Sequence, residues 1–224
     1  MTEPRLRVLG VSGSPIHNSN TDLAVQTVLE ATGCEAEFVK LLDYTVAPCR
    51  ACLGCVTTNC CVIPDDGVML AEKAKAADAL VVGCYTPYST IDARTKAFLE
   101  RLYPLRHLRG YMAGKPGVAV VTHAVPVGAE MLPPAADMGT NAIMSYMMEE
   151  GMNFLGGMTV LGNVPCVRCG HGDECDMTGI KMLFGPRATV DSVGLHCFAQ
   201  DETLLARARE LGEQLGQALR AGQP

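Results

Sequence analysis

Tryptophan is absent from the 224 residues and aromatic side chains make up only 5%, which removes the stacking platforms that hold single-stranded nucleic acids. Positive charge is also short. Eighteen Lys and Arg stand against 24 Asp and Glu, a net charge of −6, so no surplus of cations exists for a phosphate backbone. No nucleic-acid partner is expected. No apolar stretch approaches the roughly 20 residues a membrane helix requires. The opening residues carry Glu3, Arg5 and Arg7 and run into a short apolar segment, without the apolar core and cleavage site of a leader peptide. A cytoplasmic protein with no membrane partner is the expectation. No Ser/His/Asp triad or carboxylate pair stands out, which leaves the chemistry to bound cofactors.

Cysteine is what the chain has in excess, with eleven residues. In a reducing cytoplasm, clustered cysteines bind metal or do redox chemistry rather than form disulfides. The first group is Cys49-x2-Cys52-x2-Cys55-x5-Cys61, with Cys60 beside the last. Thiolates at two-residue intervals can be turned onto one inorganic centre. Three close cysteines with a fourth nearby suit a [4Fe–4S] cluster, whereas zinc ribbons use two separated pairs. Structural zinc and free thiols are the alternatives. The second group is Cys166-x2-Cys169-x5-Cys175, with Cys197 further on. His171 and His196 widen its ligand choice, and a second [4Fe–4S] cluster and a zinc site stand equally open. Cys34 and Cys84 read as buried small hydrophobes, and the run Met138, Met144, Met147, Met148 and Met152 as core or subunit interface.

Short apolar runs alternate with helical patterns. Strands are expected at 6–11, 36–41, 79–84, 117–122 and 158–164, and helices at 21–31, 65–77, 91–105, 136–150 and 202–219. The unbroken apolar run Ala79–Cys84 suits a central parallel strand. Asp65 and Asp66 stand at the positive end of the second helix. The last helix places Leu204, Ala208, Leu211, Leu215 and Leu219 on one stripe. This alternation implies an α/β fold, a five-stranded parallel sheet with helices on both faces. One domain over 1–224 is expected, with cysteine-rich insertions at about 45–64 and 165–198. Ligands of such sheets lie beyond the carboxyl ends of the strands.

The loop Ser12-Gly13-Ser14-Pro15-Ile16-His17-Asn18-Ser19-Asn20-Thr21 ends at a helix N-terminus, where free N–H groups and the helix dipole favour an anion. Ser12, Ser14, Asn18, Ser19, Asn20 and Thr21 are its candidate phosphate holders, with the backbone amides. An N-capping loop with Asn20 or Thr21 as cap is the alternative. The loop lacks the GK[ST] ending of a P-loop and the G-x-G-x-x-G of a dinucleotide site.

The string VSGSP…NSNT resembles the S-G-S-P-x-x-x-G-N-T loop of the NADPH-dependent FMN reductase-like flavoproteins, which encloses the FMN phosphate. Ile16 stands where that family often has a basic residue, and Ser19 replaces its usual glycine. The resemblance continues to about Thr122. Gly83–Thr90, leading to Lys96-Ala97-Phe98, is similar to the family segment that flanks the flavin ring, with the proline shifted to Pro87. It implies ring contacts from Tyr85, Thr86, Pro87, Tyr88 and Ser89. Thr122 and His123 fall at a third flavin loop, where His123 reads as a solvated loop histidine. The first cysteine group and its flank Cys61-Val62-Ile63-Pro64-Asp65-Asp66 resemble the motif of the iron–sulfur flavoproteins in this family, which implies Cys61 over Cys60 as fourth ligand. The resemblance implies a flavodoxin-like fold, FMN, and an oxidoreductase converting between two-electron and one-electron transfer. It also implies a homodimer or homotetramer. An electron-donor or acceptor protein, or NAD(P)H, is the expected partner. An NAD(P)H-dependent FMN or quinone reductase with structural zinc is the alternative reading.

Overall fold

A computed structural model describes residues 5–129 and 132–222, so Glu3 of the charged opening lies outside the described residues. Its elements run β1 (Arg7–Ser12), α1 (Asn20–Ala31), β2 (Glu35–Lys40), α2 (Gly67–Ala76), β3 (Ala79–Tyr85), α3 (Ala93–Arg101), β4 (Pro116–His123), α4 (Ala135–Glu149), β5 (Asn153–Leu161), α5 (Gly179–Phe184), α6 (Val190–Val193) and α7 (Glu202–Ala221). The strands form one sheet in the order β2-β1-β3-β4-β5, parallel at every pairing. The order reverses between β1 and β3, the switch point at which sheets of this kind bind their ligands.

Side chains that alternate across the strands divide the core in two. Leu9, Val11, Leu80, Val82, Ala119 and Val121 meet Leu70, Phe98, Ile143 and Met147 of α2, α3 and α4 on one face. Val8, Val81, Val118, Val120 and Val160 meet Val25, Val28, Leu211 and Leu215 of α1 and α7 on the other. Glycine sets how closely those last two helices approach. A Cβ at Gly212 or Gly216 would overlap the carbonyls of Val28 in α1 and of Thr32, its C-cap.

Three expectations shift. The fifth strand begins at Asn153, earlier than the expected 158, because Gly156 and Gly157 sit inside it at an irregularity in pairing with β4. Glycine inside a strand marks such a bulge or a close approach, and a Cβ at Gly157 would stand 2.9 Å from the Ala119 carbonyl. The helix expected at 91–105 stops at Arg101 and gives way to a 3-10 turn, Tyr103–Arg106, opened by Pro104. Cys84 is buried as expected but Cys34 is only half-buried. In the Met-rich run Met147 and Met152 are core, while Met138 and Met148 are exposed.

Candidate functional site

The loop after β1 is built on a buried ion pair. Lys40, at the end of β2, places Nζ 2.6 and 2.8 Å from the two carboxylate oxygens of Asp22 in α1, and both side chains are about as inaccessible as core leucines. The same ammonium donates to the Ile16 carbonyl at 2.7 Å. Asp22 also accepts from the Ser12 hydroxyl at 2.5 Å and the Ser19 N–H at 3.3 Å. Ser19 is therefore the helix cap, in a capping box with Asp22, not Asn20 or Thr21. Ser19-x-x-Asp22 is a local signal that sequence reading passed over. Lys40 carried none.

These bonds decide what the loop can offer a phosphate. Ser12 is buried and its hydroxyl is committed to Asp22. The Asn20 amide donates to the His196 carbonyl at 2.9 Å and accepts from the Phe198 N–H at 3.1 Å. Ser14 Oγ makes only long bonds to the Ile16 backbone, and Asn18 is exposed in the left-handed region at φ 54°. Among the described residues nothing accepts from the N–H groups of Asn20 and Thr21. An anion here would meet first-turn N–H groups and Ser14, not the full row of side chains. Gly13 is held to Gly83 by a 3.0 Å backbone bond, and a Cβ on it would overlap Thr95 and Asp92, so the loop lies against the start of α3.

Three segments meet at this edge. Thr21 Oγ1 and Thr122 Oγ1 stand 2.8 Å apart, and Thr86 Oγ1 donates to the Thr122 carbonyl at 3.4 Å. The start of α1, the loop after β3 and the end of β4 are thereby joined around the switch point. In the loop after β3, Tyr88 and Ser89 are both left-handed, at φ 52° and 62°, a conformation costing about 1–2 kcal/mol per residue. Such outliers gather at ligand sites. The turn projects Tyr88 fully into solvent, at 101% exposure, and buries Ser89. Tyr85 is half-buried; burial, with Asp92 nearby, raises its phenol pKa. His123 is not solvated as expected. It is buried on β4, and Nδ1 donates to the Val125 carbonyl at 2.7 Å, since a carbonyl only accepts.

The first cysteine loop has no regular structure between residues 44 and 66 and is pinned from α3 and the turn after it. Arg101, fully buried, donates to Asp65 Oδ2 at 2.7 Å, to the Ala47 carbonyl at 3.0 Å and to the Ile63 carbonyl at 3.3 Å. Burial alone would raise the Asp65 pKa. Hydrogen bonds from Arg101 and the N–H groups of Ala47 and Gly67 overcome it and hold the carboxyl below its usual range. Asp65 and Asp66 stand at the N-terminus of α2 as expected, with Asp65 accepting from the Gly67 N–H at 3.0 Å, and they also latch the loop through the N–H groups of Ala47 and Thr45. Asn59 Nδ2 bonds the carbonyls of Pro104 and His107 at 2.7 and 2.6 Å, and Cys55 Sγ lies 3.5 Å from His107 Nε2.

Left-handed residues at Ala51, Leu53 and Asn59 turn the chain so that Cys49, Cys52, Cys55 and Cys61 line one small cavity together with Arg101. Cys60 is exposed and not among its walls. Arg101 Nε is buried with no hydrogen-bond partner among the described residues. Burial opposes its charge, but the Asp65 bond and the adjacent Cys61 sulfur outweigh that and raise its pKa. A buried cation with a free donor beside four thiols suits an anionic thiolate-bound group. Among the described residues, no three His, Cys, Asp or Glu side chains are gathered tightly enough for one metal ion. Four sulfurs on one zinc stand only about 3.8 Å apart, whereas a cubane binds each through a different iron.

The second cysteine group follows β5. Cys166 is half-buried, Cys169 and Cys175 are exposed, and Cys197 is half-buried ahead of α7. His171 is exposed.

The family model of NADPH-dependent FMN reductase matches residues 6–145. An iron–sulfur flavoprotein of Methanocaldococcus jannaschii is 35% identical over 130 residues, covering 55% of this chain and 63% of that protein. One of Methanosarcina thermophila is 32% identical over 118 residues, covering 51% and 62%. The chain thus spans somewhat less than two thirds of the length of these relatives. Among solved structures, a flavone reductase superposes with a TM-score of 0.61 at 12% identity, covering 96% of this chain and 63% of that one. A flavodoxin from the Archaea gives 0.53 at 13%, covering 96% and 99%. These likenesses establish the flavodoxin-like fold. With a family model matched over more than half its length, the chain belongs to the NADPH-dependent FMN reductase family.

Proposed function

We propose that this chain is an FMN-dependent iron–sulfur oxidoreductase, with FMN at the β1/β3 switch point and a [4Fe–4S] cluster on Cys49, Cys52, Cys55 and Cys61. One observation carries the reading. A cavity lined by four cysteines and the buried Arg101, whose Nε has no partner among the described residues, belongs to the same chain as the hydrogen-bonded junction of α1, β4 and the loop after β3 at the switch point. The names of the relatives support it. Flavin supplies chemistry in one- or two-electron steps, and a cluster passes electrons singly.

The chain's own residues bind and position. The N–H groups of Asn20 and Thr21 with Ser14 take the phosphate. Tyr88 and Tyr85 offer aromatic surface to the ring. Arg101 balances thiolate charge from within the protein and keeps the cysteine loop against α3. His123, held by Val125, keeps its Nδ1 proton facing a carbonyl, so only Nε2 is free to exchange one.

We place the protein in the cytoplasm as a homodimer or homotetramer, exchanging electrons with NAD(P)H or a carrier protein. No helix among the described residues is long and apolar enough to cross a membrane. The test is anaerobic purification with flavin, iron, sulfide and zinc counted on one sample. One FMN per chain, with about four irons that vanish in C52S/C55S, is expected. Zinc in place of that iron, or no flavin, would overturn the reading.

A further inference from the structure

The lobe between β5 and α7 has too little buried surface to hold itself together. From Pro165 to Cys197 only Gly172, Thr178 and Ile180 are buried. Its helices, α5 and α6, are short, and Met177, Met182 and Leu195 face outward. Units below about 40 residues that lack a core usually need disulfides or metal. The cysteines of this lobe are free thiols, so no disulfide supplies the cross-link.

The lobe repeats the chemistry of the first site. Cys166-x2-Cys169-x5-Cys175 has the spacing of Cys52-x2-Cys55-x5-Cys61. Each site also turns a backbone N–H onto a sulfur from two residues downstream, Ala51 onto Cys49 and His171 onto Cys169, both at 3.4 Å. The Gly179 N–H, opening α5, adds a 3.3 Å bond to Cys166 Sγ. Such donors favour the thiolate and tune a cluster bound to it. Gly172 lets the intervening chain fold back over Cys166, since a Cβ there would overlap the Cys166 carbonyl.

The residue before Cys197 is tied by tertiary contacts to the chain that leads into this group. The His196 carbonyl accepts from Asn163 and Asn20, both at 2.9 Å, and the His196 N–H donates to Asn163 Oδ1 at 2.7 Å. Asn163 lies just ahead of Cys166 in the chain, and Asn20 opens α1. His196, the neighbour of the fourth cysteine, is thereby tied both to the segment that leads from β5 into the group and to the start of α1.

We propose that Cys166, Cys169, Cys175 and Cys197 hold a second iron–sulfur cluster, which cross-links a lobe without a core and stands at the same sheet edge as the first. The lobe lies beyond residue 145, where the family match ends. The inference does not rest on the first cluster, and the test separates them.

Iron and acid-labile sulfide are counted on full-length protein purified without oxygen. About eight of each per chain are expected in the wild type, falling by half in C169S/C175S and by half in C52S/C55S, with flavin retained in both. An iron count unchanged by C169S/C175S overturns the second cluster whatever C52S/C55S does. One zinc per chain, lost in C169S/C175S, overturns it in favour of a zinc site. Should that variant not fold, the spin count of dithionite-reduced C52S/C55S decides. One cluster spin per chain supports the proposal, and none refutes it.

Discussion

Replacing Lys40 by Met is the most direct probe of how the loop after β1 is held. Lys40 and Asp22 are buried to 5% and 3% side-chain exposure, so the ammonium's removal strands a carboxylate that solvent cannot reach. Breaking a buried pair from one side costs about 3–5 kcal/mol, against a total stability of roughly 5–15 kcal/mol for a domain. With a urea dependence of about 2 kcal/mol per molar, the unfolding midpoint of K40M should fall by about 1.5–2.5 M. The assay is urea unfolding at fixed flavin concentration, because flavin bound to the native state adds stability of its own. The double variant D22N/K40M removes both charges, while the Asn oxygen can still accept from Ser12 and Ser19, and it should recover at least half the loss. The loss also frees the Ile16 carbonyl from its 2.7 Å tether, so flavin affinity of K40M should drop about tenfold, on the order of one lost charge-assisted bond. A midpoint within about 0.3 M of wild type, or a double variant no better than K40M, would refute the reasoning.

Two further outcomes follow from the first cysteine loop. C60S should keep its full iron content while C61S loses that of the first site, because only Cys61 shares the cavity with Cys49, Cys52 and Cys55; iron lost from C60S instead would reverse the assignment. The Asp65 carboxyl has a folded pKa depressed below its ordinary 3.8, so its stabilisation is fully present above that value and is lost as pH falls through the folded pKa. The stability gap between wild type and D65N should accordingly be constant near neutrality and close below about pH 3.8; a gap that persists into strong acid would show that Asp65 does not act through its charge.

Much of this architecture is written along the chain. Uninterrupted runs such as Ala79–Cys84 demand burial on both faces, and their alternation with amphipathic helices leaves a parallel sheet as the consistent packing. The cysteine spacings are equally local, since two intervening residues are enough to turn successive sulfurs to one side. The double glycine concealed the first half of β5 because glycine carries no side-chain pattern to read.

What only tertiary structure decided is which polar groups are spent inside the protein and which are left for a ligand. Ser12, Asn20 and Thr21 look equivalent in a hydroxyl- and amide-rich loop, yet Asp22, His196 and Thr122 take up their side chains. Arg101 lies 36 residues from the Asp65 it binds, and Asn20 lies 176 from His196, so no local window contains either pair. A hydrogen bond is a contact between two directions in space, and the sheet order β2-β1-β3-β4-β5 is what brings those directions together.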